Sequence, residues 1–331
     1  MKKGVLLLNL GGPNDQSSDE IKAFWQEYLM DPMVTDAPFL MRKWKVKRQL
    51  TPDFLAKMTA MYATNAKKEA SALVWNSTKI QQKLTAQLTV PVALGMRYKR
   101  PSIHRALQLL SDEGVKEVLV VPLHPQYTMG TTWSAVEKVK EIQFRSHKKM
   151  DLTFLNSFYK HPDFIQTLAD HILQSAPETY DRVLLSFPNI NKSHDQLVKK
   201  RAKTQKDLQL KTYEEQCLET TDLLREKLNL STPMDYSFLT MGHEKVGLKP
   251  DTLDYLRQLP QENAKKVLVI CAGAVTDSAA TLVKINQQGK ALFLENGGEK
   301  FTYVKCFNDA DAWIEILVKW IQGWTSIKNE L

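Results

Sequence analysis

No stretch of this 331-residue sequence approaches the ~18 apolar residues that a helix needs to cross a bilayer, so a helical membrane span is not its organising feature. A signal-like start is also missing: Met1-Lys2-Lys3 leads straight into a short strand-like run, and the cytoplasm is the expected compartment. Cysteine is scarce. Cys217, Cys271 and Cys306 lie far apart with no Cys-x-x-Cys pair, which argues against a zinc site or a disulfide framework and reads as buried thiols. Between Phe187 and Tyr213 there is no aromatic residue, so the basic cluster of Lys199, Lys200, Arg201, Lys203 and Lys206 has no stacking partners for bases. Nucleic acid is therefore not an expected partner. No internal repeat can be aligned by eye.

What is present is ordinary globular material with a basic bias. The hydrophobic fraction of 43% supports a real core, and the formal net charge of +8 favours anionic surfaces and ligands without naming one. Part of that charge lies in Arg42, Lys43, Lys45, Lys47 and Arg48, interleaved with Met41, Trp44 and Val46 and preceded by Phe39 and Leu40. Either a solvated helix face or a contact with phospholipid headgroups fits this composition, which makes peripheral membrane contact through Phe39, Leu40 and Trp44 one reading.

Short apolar runs alternate with segments of helical periodicity. Val5–Leu10, Val92–Tyr98, Val118–Pro122 and Leu152–Phe158 form one series, and Val183–Phe187, Tyr236–Met241, Val267–Ile270 and Phe301–Phe307 another. Strands separated by helices pair in parallel, because each crossover returns the chain to the same end of the sheet. The expected class is α/β, with two Rossmann-like domains of parallel sheet at 1–160 and 161–331. A helix from His161-Pro162 to Ile172 joins them, and a closing helix at about 309–323, carrying Trp313, Ile314, Leu317 and Trp320, is expected to pack across both. Ligands of such sheets bind beyond the carboxyl ends of the strands. The residues there are Gly11-Gly12-Pro13-Asn14, His124-Pro125-Gln126-Tyr127, Pro188-Asn189, Gly242-His243-Glu244 and Gly273 to Asp277.

Together these strand ends resemble one family, the ferrochelatases, which insert Fe²⁺ into a porphyrin in haem synthesis. The resemblance rests on Leu7 to Pro13, Gly95-Met96-Arg97-Tyr98 with Pro101, Pro122 to Tyr127 with Thr131-Thr132, and Phe158 to Pro162. It continues through Tyr213, Gln216-Cys217 and Thr220, Val275-Thr276-Asp277 with Thr281-Leu282, Asn296-Gly297-Gly298 and Phe307-Asn308-Asp309. Membership implies a chelatase-like pair of domains with the tetrapyrrole in a cleft between them. It makes Leu10, Pro13, Gln126, Tyr127, Thr131, Thr132 and Lys284 candidate porphyrin contacts, and Asp277 a helix N-cap near the site. Tyr127 and Thr131 have an equally good structural reading as hydroxyls at a helix start.

The chemistry of the resemblance is incomplete. Metal insertion requires the inner nitrogens of the porphyrin to lose protons, which calls for a general base near the ring centre. Where the family places a His in a Ser-aromatic-His-Gly-Leu-Pro-like motif, this sequence reads Ser186-Phe187-Pro188-Asn189-Ile190. Where the family has a Glu shortly after the Asp matching Asp277, and often an acidic residue one turn later, it reads Ala280 and Lys284. A carboxylate pair attractive to a cation thereby becomes an alanine and a lysine. The family's Trp-bearing Gly-Pro loop is contracted to Gly247-Leu248-Lys249-Pro250, its Gly-Asp-Pro-Tyr segment is replaced by a longer basic insert ending at Tyr213, and its Gly-Ser-Pro has become Ala70-Ser71-Ala72. Against this, His243-Glu244 could act as a relocated base or ligand. His194 reads as a weaker substitute in a mobile insert, and His124 as a ring contact or loop filler.

Three readings remain open: a porphyrin- or haem-binding pseudoenzyme, requiring no cofactor; an active ferrochelatase rewired through His243 and Glu244; and a non-catalytic scaffold or regulator. The oligomeric state is not legible.

Overall fold

In the computed structural model, which describes residues 1–64, 71–175, 179–204, 211–241 and 246–326, each of the eight apolar runs forms a strand. Two units result: Met1–His124 with Met129–Ser157 and Asn308–Leu331, and Phe158–Phe307 with Pro125–Thr128.

The first unit begins with β1 (Lys3–Gly11), α1 (Ser18–Met30), α2 (Phe39–Gln49), α3 (Pro52–Ala63) and α4 (Ala72–Gln87). Next come β2 (Val92–Tyr98), α5 (Ile103–Asp112), β3 (Glu117–Pro122), α6 (Ser134–Arg145) and β4 (Asp151–Phe154). Its parallel sheet has the order β2-β1-β3-β4. Val5 to Leu8 are unbroken hydrophobes because β1 is an inner strand, with Leu6 opposite both Ala93 and Val120 and helices covering both faces. Leu6, Leu8, Leu107, Leu110, Val120 and Val139 are buried in its core, each such side chain contributing about 1.5–3 kcal/mol by leaving water. β1 ends at Gly11, whose φ of +96° and close approach to the carbonyl of Tyr98 admit no Cβ.

The second unit contains α7 (Pro162–Ser175), β5 (Arg182–Pro188), α8 (Lys192–Thr204), α9 (Tyr213–Leu228) and β6 (Met234–Leu239). It continues through α10 (Thr252–Gln258), β7 (Lys266–Ile270), α11 (Lys290–Glu295) and β8 (Lys300–Val304). The strand order β6-β5-β7-β8 repeats that of the first unit, although the sequence shows no alignable repeat. α9 starts at a capping box in which Thr212 and Glu215 each satisfy the other's backbone N–H. Leu184, Leu256, Val267, Val269 and Phe293 form its core.

Two strands are shorter than their apolar runs. β4 stops at Phe154; beyond it Phe158 and Tyr159 donate to Pro125 O, and the Phe158 ring meets Phe164 edge-on at 5.1 Å. β8 stops at Val304, and Phe307 packs on Phe164 and His171 of α7. In both cases the last aromatic residues serve helix packing rather than the sheet.

The closing helix, α12 (Asp311–Ser326), departs from the simple division at residue 160. It groups with the first unit and packs against α4. Lys83 donates to Asp309 O (2.6 Å) and Asp311 Oδ1 (2.8 Å), while Lys3 reaches Trp324 O and Thr325 O. Trp313, Ile314 and Leu317 are buried along its inner face. Among the described residues no helix is long and apolar enough to cross a membrane.

Candidate functional site

In the second unit the carboxyl ends of β5, β6 and β7 carry the positions where family chemistry was expected. Pro188 closes β5 opposite Leu239, with its carbonyl accepting from Tyr213 Oη at 2.7 Å. Its ring lies over Gly273, where a Cβ would stand 2.6 Å from Pro188 Cδ, so glycine at 273 makes room for the proline. Buried Asn189 ties the strand end to the following loop. Its amide nitrogen donates to Thr240 Oγ1 (2.9 Å) and Leu248 O (3.2 Å), and its oxygen accepts from the Ile190 and Leu248 N–H groups. Sequence reading missed this staple, though an Asn immediately after a strand was its signal. His243 and Glu244 lie outside the described residues, as do Ala70 and Lys206.

Beyond β7 the chain enters a π-helical segment, Ala280–Gly289, a form that concentrates at functional sites. Its i→i+5 bonding replaces the α-helical turn on which the spacing of 280 and 284 was read. Ala280 packs against the apolar core. Lys284 Nζ donates to Thr240 O at 2.6 Å, anchoring the π-helix to the exit of β6.

Asp277 is not the cap of this helix. The Thr281 N–H is met by Ser278 Oγ at 3.4 Å, while Asp277 Oδ1 accepts from Thr281 Oγ1 (3.0 Å), Tyr303 Oη (2.5 Å) and the Cys306 N–H (3.5 Å). Burial, and then the nearby thiols and Asp277, push the Tyr303 hydroxyl well above its ordinary value. The three cysteines are free and buried. A hydrogen bond donated to Cys271, and then burial, raise the Cys306 thiol; burial raises Cys217.

Gln126 and Tyr127 belong to this unit as well. Gln126 is buried, with its amide nitrogen directed to Thr220 Oγ1 (3.2 Å) and Ala272 O (3.5 Å), and its Oε1 makes no hydrogen bond among the described residues. Backbone groups of Tyr127 exchange two bonds with the Gln216 side chain, Tyr127 N–H to Oε1 (2.8 Å) and Nε2 to Tyr127 O (3.1 Å). These residues splice the Pro125–Thr128 segment into α9. His194 sits buried in α8, so the insert for which the sequence suggests mobility forms a helix there. Asp195 beside it accepts from the Tyr213 N–H at 2.8 Å, and burial raises its carboxyl above the usual range.

In the first unit Leu10 is partly exposed at the end of β1, with its N–H held by Asn9 Oδ1 at 2.8 Å. Pro13 is buried in the turn that follows. Thr131 and Thr132 fall in a single π-turn, Met129–Trp133, that opens α6; Thr132 is fully buried and its Oγ1 has no hydrogen-bond partner among the described residues. Asp31, missed in the sequence, organises the same end. Its Oδ2 accepts from Arg97 Nη2 (2.5 Å), Tyr98 Oη (2.8 Å) and Ser134 Oγ (2.5 Å), and its Oδ1 accepts from the Met33 N–H (2.7 Å). His124 follows β3, and burial lowers its imidazole to about 4, which leaves it neutral near pH 7. Among the described residues no group of three or more His, Cys, Asp or Glu side chains is placed to hold a metal ion.

Two parallel sheets of identical strand order, with loops and π-turns gathered at their carboxyl ends, define a chelatase-like α/β protein. The fold is similar to that of SirB from Bacillus subtilis with Fe³⁺ (TM-score 0.57, 11% identity, 98% of this chain and 96% of that one). It is also similar to the sirohydrochlorin chelatase SirB from Bacillus subtilis subspecies spizizenii in complex with cobalt (TM-score 0.55, 9% identity, 97% and 94%). The chain belongs to the ferrochelatase family, whose description, Ferrochelatase, matches residues 2–323. It is 32% identical over 330 residues to the ferrochelatase of Pseudomonas fluorescens (strain Pf0-1), covering 95% of each chain. It is likewise 32% identical over 326 residues to that of Vibrio cholerae serotype O1, covering 96% of each.

Proposed function

We propose that this chain is a ferrochelatase-like protein that binds a porphyrin or haem and does not insert Fe²⁺ by the family's route. One observation carries the reading: at the end of β5, where the resemblance calls for an imidazole, Pro188 offers no titratable group and its carbonyl is taken by Tyr213. The neighbouring π-helix supports it, presenting Ala280 in place of a carboxylate and Lys284 already bonded to Thr240 O. Acid–base groups contribute about 10²–10⁴-fold each, so the loss of both leaves too little acceleration for useful turnover. The net charge of +8 suits the propionates of a tetrapyrrole.

Titration of protoporphyrin or coproporphyrin with the purified chain shifts the Soret band, while anaerobic Fe²⁺ or Zn²⁺ insertion stays at background. An unchanged spectrum at tens of micromolar rejects porphyrin binding and leaves the scaffold reading. Robust insertion rejects the pseudoenzyme reading, and its loss in a His243→Ala, Glu244→Ala variant then assigns the chemistry to those two residues.

A membrane-surface association is the second reading, supported by α2. Phe39, Leu40 and Trp44 are 61%, 77% and 59% exposed beside Arg42, Lys43, Lys45, Lys47 and Arg48. An amphipathic, basic helix of this kind suits anionic headgroups. Cosedimentation with phosphatidylserine-containing vesicles, weakened by salt and by Phe39→Ser with Trp44→Ser, is the expected result; equal sedimentation with neutral vesicles counts against it.

A further inference from the structure

The first unit contains a cavity of about 680 Å³ beside the Gly11–Asn14 turn; of the residues lining it, the family resemblance makes only Pro13 a candidate porphyrin contact, and the proposed function assigns no role to the others. Pro13, Val74 and Pro101 supply apolar wall and Asn14 a polar edge; among the described residues Arg100 and Arg105 are its only charges and no carboxylate lines it. Its volume lies in the range of small-molecule sites, roughly 300–1,000 Å³.

The turn and the arginines are held together by bonds that leave the guanidinium groups largely uncommitted. Asn14 Oδ1 accepts from the Arg100 N–H at 3.2 Å, and Asn14 Nδ2 donates to Glu20 Oε1 at 2.7 Å. Glu20 in turn pairs with Lys99 (3.3 Å), so the nearby carboxylate is already neutralised. Arg105 Nη1 makes one weak bond to the neutral Gln108 side chain at 3.3 Å, and Arg100 is exposed with no carboxylate paired to its guanidinium among the described residues. α5 begins at the same wall, capped by Ser102, and its first turn contains no acidic residue. Its positive end therefore adds to the two guanidinium groups instead of being cancelled.

The geometry points to a carboxylate-binding subsite, in which an apolar arm lies along Pro13, Val74 and Pro101 and its carboxylate meets Arg100 and Arg105. Two sources share this chemistry: a propionate of the tetrapyrrole, which rests on the function proposed above, and a small free carboxylic acid, which does not. Guanidinium–carboxylate contacts are the stronger class of hydrogen bond and specify geometry as well as charge. Both arginines lie at the surface, so their replacement leaves the core intact.

The experiment compares the full chain with an Arg100→Gln, Arg105→Gln variant. Fluorescence quenching is measured with coproporphyrin and with its methyl ester, which keeps the ring but not the charge, and thermal unfolding is followed with added tricarballylate. For the tetrapyrrole source, the variant weakens the acid about tenfold, the loss of roughly one charge-assisted bond, and leaves the ester within about twofold. For the free-acid source, tricarballylate raises the melting temperature of the wild type but not the variant, and the porphyrin affinities agree. Equal porphyrin affinities together with no tricarballylate shift in either protein overturn the subsite. If the wild type binds no porphyrin, the proposed function fails while the tricarballylate measurement still decides the cavity.

Discussion

β3 and β7 hold equivalent places in sheets of the same order, and each is followed by a π-helical stretch, yet the two exits are secured by different chemistry. In the first unit, Asp31 collects a guanidinium, a phenol and a serine hydroxyl on one oxygen, and all four residues are drawn around the start of α6. In the second, Asp277 accepts from the hydroxyls of Thr281 and Tyr303, and a lysine further along the π-helix holds the end of β6 through a backbone carbonyl. Strand order prescribes where a loop leaves the sheet. It does not prescribe how the loop is fastened, because the fastening side chains come from elements distant in sequence.

The largest expected effect tests that contrast. Asp31→Asn leaves the Arg97 guanidinium without its counter-charge and costs about 3 kcal/mol in urea denaturation, whereas Asp277→Asn costs about 1–2 kcal/mol, as for lost hydrogen bonds to hydroxyls. Equal losses would dissolve the distinction between the units. Next is Gly273→Ala, whose methyl must displace the Pro188 ring and the flank of Phe187; a loss of about 1–3 kcal/mol is expected, relieved when Pro188→Ala is added. An undiminished cost in the double variant would show that the proline is not the obstacle.

A smaller effect concerns His124. Its imidazole has an ordinary value of 6.5 and is lowered to about 4 by burial, so between these values the unfolded chain binds a proton that the folded chain does not. Stability therefore falls as the pH drops from about 6.5 towards 4, and this contribution is fully lost below that window. In His124→Asn the slope of stability against pH is shallower across the same range; parallel slopes would count against the shift. The smallest effect is on the thiols: burial raises Cys217, so iodoacetamide labels the folded chain far more slowly than the urea-unfolded chain at neutral pH. Similar rates would contradict its burial.

Much of the candidate site was visible before the fold. Pro188 at the end of an apolar run and Ala280 after the Asp277 motif could be read directly in the sequence as residues without a titratable group, since a residue type either carries one or does not. Asp31, Asn189 and Tyr213 are harder to read because their roles depend on partners distant in sequence, as when Tyr213 reaches the carbonyl of Pro188. Lys284 shows the difference well. Its charge suggests a propionate contact in the sequence, whereas its bond to the Thr240 carbonyl at 2.6 Å is set by the π-helix and the exit of β6.

The sequence by itself determined the eight strands, their parallel arrangement and the membership of the chain in its family, because buried strands require continuous apolar runs and crossovers require helices between them. Only the tertiary structure decided that α12 returns to the first unit, that both third strands open into π-turns, and that Arg100 and Arg105 face one cavity. Those outcomes depend on packing and hydrogen bonding between segments distant along the chain, and local periodicity contains no information about them.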